Sequence, residues 1–162
     1  GMVEEGLAIV KAARDRYDGF RRNPWNEVEC GSHYARAMSS WSLALALSGF
    51  GYSAPEKRIA FGPRINRRNF RCFFSTGSGW GLFSQTAGPS GLRAALDVRH
   101  AQLVLREFRL APLEGFRPAA VVARLGAEKL PASLEKDDTG WRARFQADVL
   151  IRPGFILTLE YK

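Results

Sequence analysis

Sixteen residues near the start of the chain, RRNPWNEVECGSHYAR at positions 21–36, are denser in reactive side chains than any other stretch. The carboxylate of Glu27 accepts hydrogen bonds, whereas the guanidinium of Arg36 donates them in a planar fork. Two such groups can hold the vicinal hydroxyls of a sugar, and Trp25 offers an apolar face for a pyranose ring. We therefore predict Glu27, Arg36, Trp25 and His33 as substrate-binding residues. The alternative is structural: Glu27 and Arg36 pin the loop to the next helix, and His33 is a structural hydrogen bonder.

Two helices are predicted to flank this run. Residues 3–18 are predicted to be helical because four side chains recur at spacings of three and four, namely Leu7, Val10, Arg14 and Tyr17. Glycine, asparagine and proline then predict a loop over residues 19–31. A second helix is predicted over residues 33–48, with Ser32 as its N-cap and Ser48–Gly49 as its end.

Short alternating runs dominate beyond residue 50 and predict seven or eight strands. Two turn sequences, STGSG at 75–79 and DDTG at 137–140, predict hairpins. One run places four apolar side chains on a single strand face, Leu92, Ala94, Leu96 and Val98. The predicted fold class is α+β, with a helical segment over residues 2–58 and an antiparallel β-sandwich-like domain over residues 59–162.

Composition limits the function classes. The net charge is +8, but arginine is spread along the chain, and the densest basic stretch is RINRRNFR at 64–71. That stretch is either a solvated loop and strand edge or a phosphate-binding patch, and we predict no nucleic-acid partner. Two histidines, and two cysteines without metal-ligand spacing, predict no metal and no cofactor. The two cysteines could form at most one disulfide, and we expect them to be thiols in a reducing compartment. Together with the lack of a signal peptide or membrane-spanning run, this predicts a cytoplasmic protein.

The motif carries a family resemblance. RNPWNEVECGSHYARAMSSWSLALALSGF, followed by FRCFFSTGSGWGLFSQ, resembles the C-terminal part of the non-lysosomal glucosylceramidase and β-glucosidase family, glycoside hydrolase family 116. The resemblance is strong from about Tyr17 to Gln85 and weaker afterwards. It implies a retaining β-glycosidase whose catalytic domain is an (α/α)6 toroid. It also implies that Glu27 and Arg36 bind hydroxyls of the glucose ring.

The resemblance places the family's nucleophilic Glu and acid/base Asp upstream of this motif. We therefore predict no catalytic residue here and expect a C-terminal hydrolase fragment that is inactive alone. The expected partners are a β-glucoside or glucosylceramide-type sugar and the missing catalytic part. The apolar second helix, lacking its neighbours, predicts a homo-oligomer. Two alternatives stay open: a stand-alone carbohydrate-binding or protein-interaction module and, less favoured, a nucleic-acid-binding module.

Overall fold

The computed structural model describes residues 1–24, 39–89 and 91–162. Contacts within the chain define two units, Gly1–Ala44 and Leu45–Lys162. The sequence predicts a boundary between residues 58 and 59, whereas these units meet inside the second helix. The first two strands, β1 (Gly51–Ser53) and β2 (Arg58–Phe61), therefore both lie in the second unit.

The first helix, α1, spans Val3–Arg14 and continues as a 3₁₀ turn over Asp15–Tyr17. This agrees with the helix predicted over 3–18. Gly19 follows with a φ of +90°, a conformation that favours glycine and ends the helix. An exposed ion pair between Lys11 and Asp15, one helical turn apart, adds a small stabilisation.

The second helix, α2, is described over Ser39–Ser48. The earlier part of the predicted helix, with its Ser32 cap, lies outside the described residues. Gly49 follows with a φ of +58°, so the predicted end of the helix is confirmed. The last carbonyls of α2 are satisfied by the chain after β2, since Leu47 O accepts from Arg64 N at 2.8 Å and Ser48 O accepts from Gly62 N at 2.9 Å.

Eleven strands form two sheets. Their bounds are β1 Gly51–Ser53, β2 Arg58–Phe61, β3 Asn69–Thr76, β4 Gly79–Gly88, β5 Gly91–Ala101, β6 Leu103–Leu110, β7 Val121–Leu125, β8 Glu128–Leu130, β9 Ala132–Asp137, β10 Gly140–Ile151 and β11 Leu157–Tyr161. The five-stranded sheet has the order β1-β2-β6-β10-β9, and the six-stranded sheet has the order β3-β4-β5-β11-β7-β8. Neighbours are antiparallel except for β2 and β6, which are parallel. The predicted strand number is therefore too low, and the predicted antiparallel sandwich contains one parallel pair.

The two sheets pack face to face as a β-sandwich. The rings of Phe61 on β2 and Phe83 on β4 stack across the interface, with centroids 3.8 Å apart. The four β5 residues predicted to share one face are all buried in this core, as are Leu157, Leu159 and Tyr161 on β11. The predicted sandwich and both predicted hairpins are thus confirmed. The described residues include two α-helices, and none of their helices is long and apolar enough to cross a membrane.

Candidate functional site

The four predicted sugar-binding residues, Trp25, Glu27, His33 and Arg36, lie outside the described residues. The chain enters their segment from a turn in which the Asp18 carboxylate accepts hydrogen bonds from the backbone N–H groups of Phe20 at 2.9 Å and Arg21 at 2.8 Å. Their role in binding a sugar stays a prediction from the sequence.

A charged cluster covers the outer face of the five-stranded sheet. The pairing of β6 with β10 is irregular here: between the pairs Glu107–Arg144 and Leu105–Val149 the extra residues lie on β10. The backbone N–H groups of Arg106 and Glu107 both donate to Lys57 O, at 2.7 and 3.2 Å. The inward and outward alternation along β6 shifts by one residue at this point, so Glu107 and Arg109 both belong to the outer-face cluster although Leu105 and Phe108 are buried.

Glu107 is the centre of this cluster, with a side chain only 9% exposed. Its Oε1 accepts from Arg109 Nε at 2.5 Å, its Oε2 accepts from Arg144 Nη2 at 3.3 Å, and Arg142 Nε lies 3.7 Å from Oε1. Burial by itself raises the pKa of this carboxyl, but the hydrogen bonds and charges of the arginines together lower it below its usual value. A carboxylate held ionised in this way is a poor proton donor.

Asp137, at the end of β9, completes the cluster. Its side chain accepts from Thr139 Oγ1 at 2.6 Å, from Thr139 N at 2.8 Å and from Arg142 Nη2 at 2.6 Å. These hydrogen bonds, the Thr139 hydroxyl first, hold the pKa of Asp137 far below its usual value. The cluster therefore pairs arginines with ionised carboxylates and fits a structural role. The sequence indicates the cluster in WRARF, where charged and apolar residues alternate, and in LREFRL, where the adjacent charged residues Arg106 and Glu107 interrupt that alternation.

A second charged feature is a cleft of about 940 Å³, which we call the arginine cleft. One wall is the β2–β3 loop over residues 62–68 with the start of β3, and the other is the segment over residues 111–120. The residues that line it are Arg64, Asn66, Arg67, Arg68, Asn69, Leu113, Glu114 and Gly115. It is built from the RINRRNFR stretch that the sequence singles out, and Glu114 is the one carboxylate among those lining residues.

An aromatic surface lies on the outer face of the six-stranded sheet. Trp80 on β4 is 42% exposed and stands opposite His100 on β5. Their ring centroids are 5.9 Å apart with planes at 16°, and Phe73 on β3 lies 5.9 Å from Trp80 at 43°. This surface is not predicted from the sequence, because its three residues belong to separate strands.

Two further observations limit the chemistry of the described part of the chain. Burial raises the pKa of the Cys72 thiol to about 11, so this thiol is a poor nucleophile near neutral pH. In residues 1–24, 39–89 and 91–162, no group of three or more His, Cys, Asp or Glu side chains is placed to hold a metal ion.

Two comparisons with known proteins identify no relative of this chain. No protein-family model matches the chain, and no curated protein matches it. Any assignment to a glycosidase family therefore depends on the motif resemblance alone.

Proposed function

We propose that this chain is the C-terminal part of a retaining β-glucosidase or glucosylceramidase-like glycoside hydrolase. In this proposal Glu27 and Arg36 hold hydroxyls of the glucose ring, while Trp25 and His33 line the same site. The observation that supports it most directly is the sequence RRNPWNEVECGSHYAR. It contains a carboxylate, a guanidinium and an aromatic ring within sixteen residues, and it resembles the family's glucose-binding segment.

The α2 helix supports this proposal. Its sequence SSWSLALALS is apolar on every side, yet Leu45 is 51% exposed and Trp41 is exposed as well. A helix of this composition suits a position among other helices, as in an (α/α)6 toroid. The same exposed surface supports the proposal that copies of this chain associate when those helices are absent.

The catalytic carboxylates belong, in this proposal, to another part of the enzyme. A retaining mechanism needs two carboxyl groups about 5 Å apart, one of them able to donate a proton. Glu107 and Asp137 do not suit that role, because arginines hold Glu107 ionised and the hydrogen bonds from Thr139, with that from Arg142, hold Asp137 ionised. The chain alone is therefore expected to bind a β-glucoside without hydrolysing it, in a reducing, cytoplasmic setting that keeps its cysteines as thiols.

Calorimetric titration of the purified chain with a β-glucoside tests this proposal. Glu27→Gln and Arg36→Met are each expected to weaken binding at least about tenfold, because each removes charged hydrogen bonds to the sugar. Glu29→Gln is the matched control in the same loop and is expected to bind like the unmodified chain. Equal binding by all three variants contradicts the proposal. So does turnover of an aryl β-glucoside by the purified chain that Glu27→Gln abolishes.

The aromatic surface favours a second candidate, a stand-alone carbohydrate-binding module. Exposed rings on a sheet face offer flat apolar area to sugar rings, and Trp80 and His100 are nearly parallel. This candidate predicts that Trp80→Ala abolishes binding to a β-glucan while Glu27→Gln leaves it intact. Phe155→Ala, which truncates another exposed aromatic side chain, is the control. The protein-interaction module, by contrast, predicts no sugar binding by any of these proteins.

A further inference from the structure

We propose that the arginine cleft binds the phosphate group of a small phosphate monoester. The first support is the distribution of charge. On the five-stranded sheet, arginines are matched with carboxylates: Arg58 with Glu56, Arg106 with Asp148, and Arg142 with Asp137. Arg64, Arg67 and Arg68 form no ion pair within the part of the chain that the structure describes; Arg124 and Arg152 form none either, but the first three line a single cleft. Three guanidinium groups and one carboxylate, that of Glu114, line this cleft, and the resulting excess of positive charge attracts an oxyanion.

The second support is that the loop bearing the arginines is held in place before any ligand arrives. Buried Gln85 donates from Nε2 to Arg67 O at 2.5 Å, and the backbone N–H of Ala87 donates to Arg68 O at 2.8 Å. Ile65 packs against the core, so the neighbouring arginines lie at the surface. A fixed loop loses little conformational entropy on binding, as a specific site requires.

The opposite wall is also anchored to the sandwich. The Arg67 guanidinium donates to Pro112 O and so joins the two walls. Leu113 is buried in the core, and the backbone N–H of Phe116 closes a turn onto Leu113 O at 3.1 Å. The free donors toward a ligand are therefore mainly Arg64 and Arg68.

The chemistry of the lining residues selects the ligand class. Guanidinium forks and the side-chain amides of Asn66 and Asn69 donate hydrogen bonds, which suits the oxygens of a phosphate. Glu114 on the facing wall accepts hydrogen bonds, which suits a hydroxyl on the esterified part of the same molecule. A cleft of about 940 Å³ has the size of a small-molecule site. Glu114 would also repel the continuous phosphate backbone of a nucleic acid.

Calorimetry with inorganic phosphate and glucose 6-phosphate, at constant ionic strength, tests this proposal. The double variant Arg64→Gln/Arg68→Gln is expected to bind both at least tenfold more weakly than the unmodified chain. The matched control Arg124→Gln/Arg152→Gln removes the same charge at exposed positions outside the cleft and is expected to bind normally. Glu114→Gln is expected to strengthen binding of inorganic phosphate and to reduce the preference for glucose 6-phosphate.

Four results would overturn the proposal. The first is that neither phosphate compound binds the unmodified chain. The second is that the control pair weakens binding as much as the cleft pair, which indicates only general charge attraction. The third is that glucose 6-phosphate binds no better than inorganic phosphate, which removes the assignment to a monoester. The fourth is salt-sensitive binding of a single-stranded oligonucleotide in place of the phosphate compounds.

Discussion

Glu107→Gln is the most direct test of how the outer face of the five-stranded sheet is stabilised. The substitution keeps the shape of the side chain and removes its charge. The lost bond to Arg109, at 2.5 Å and shielded from water, corresponds to about 1.5 kcal/mol. The bond to Arg144 is longer, at 3.3 Å, and the Arg144 side chain is 52% exposed, so we assign it about 0.5 kcal/mol.

The expected loss of unfolding free energy is therefore about 2 kcal/mol, or about 8 °C in Tm for a domain of this size. The loss stays below that of a fully buried pair because Arg142 keeps its bond to Asp137 at 2.6 Å. Urea unfolding followed by circular dichroism at pH 7 measures it. Glu56→Gln is the control, since Glu56 is 55% exposed in its pair with Arg58, and it should cost at most about 0.5 kcal/mol.

The pH dependence of this loss of unfolding free energy tests whether it comes from the charge of Glu107. The pKa of Glu107 is lower in the folded chain than in the unfolded one, so its contribution is complete above the unfolded pKa of about 4.3. The difference between the unmodified chain and Glu107→Gln should stay constant from pH 7 to about 5 and disappear as pH falls through the lowered folded pKa. A variant as stable as Glu56→Gln at pH 7, or a difference that grows at low pH, would refute the reasoning.

Three further predictions concern the sandwich. Gly81→Ala should lower stability by at least about 2 kcal/mol in urea unfolding, because its Cβ would lie 2.2 Å from the Asp97 carbonyl oxygen; Gly77→Ala, with nothing within 4 Å, should change little. Tyr161→Phe should leave stability unchanged or raise it by up to about 1 kcal/mol, because the buried hydroxyl has no hydrogen-bond partner among the described residues; a loss above about 1 kcal/mol contradicts this. Burial raises the pKa of the Cys72 thiol to about 11, so this thiol should react slowly with Ellman's reagent. In a chain whose other cysteine is replaced by serine, the reaction at pH 8 should be about 100-fold slower in the folded state than in urea. Equal rates in the two states would contradict the effect of burial.

Local patterns predicted the strands well where alternation is regular. Leu92, Ala94, Leu96 and Val98 follow a period of two, and all four face the core. The pattern failed where the backbone departs from that period. The alternation within β6 reverses at Arg106 and Glu107, where two adjacent charged residues were the only local sign of it and the irregular pairing with β10 was not predicted.

The pairing of strands that are distant along the chain could not be predicted from local sequence patterns. Within the run EKLPASLEK, Pro131 separates β8 in one sheet from β9 in the other. Proline was the available signal, since it lacks the N–H that a continuing strand needs. The parallel pairing of β2 with β6 depends on contacts between residues about 50 positions apart, which no local pattern encodes.

The candidate sites were also only partly predictable from local sequence. The RINRRNFR stretch was visible as a basic cluster and as one possible phosphate patch. Its facing wall, with Glu114, comes from a segment more than 40 residues later and needed the folded chain to be found. The sugar-binding prediction at Glu27 and Arg36 still depends on residue types and on the family resemblance.

The hydrogen bonds at the end of α2 bear on where this chain can be shortened. The amides of Gly62 and Arg64 donate to carbonyls of Ser48 and Leu47, so the last turn of α2 supports the start of the arginine-bearing loop. A shortened chain that begins at residue 59 would leave both amides without these acceptors and would also remove β1 from the sheet edge. One that begins at or before Leu45 keeps them. The smallest portion expected to fold with its cleft intact therefore includes the final turn of a helix that the sequence assigns to the preceding domain.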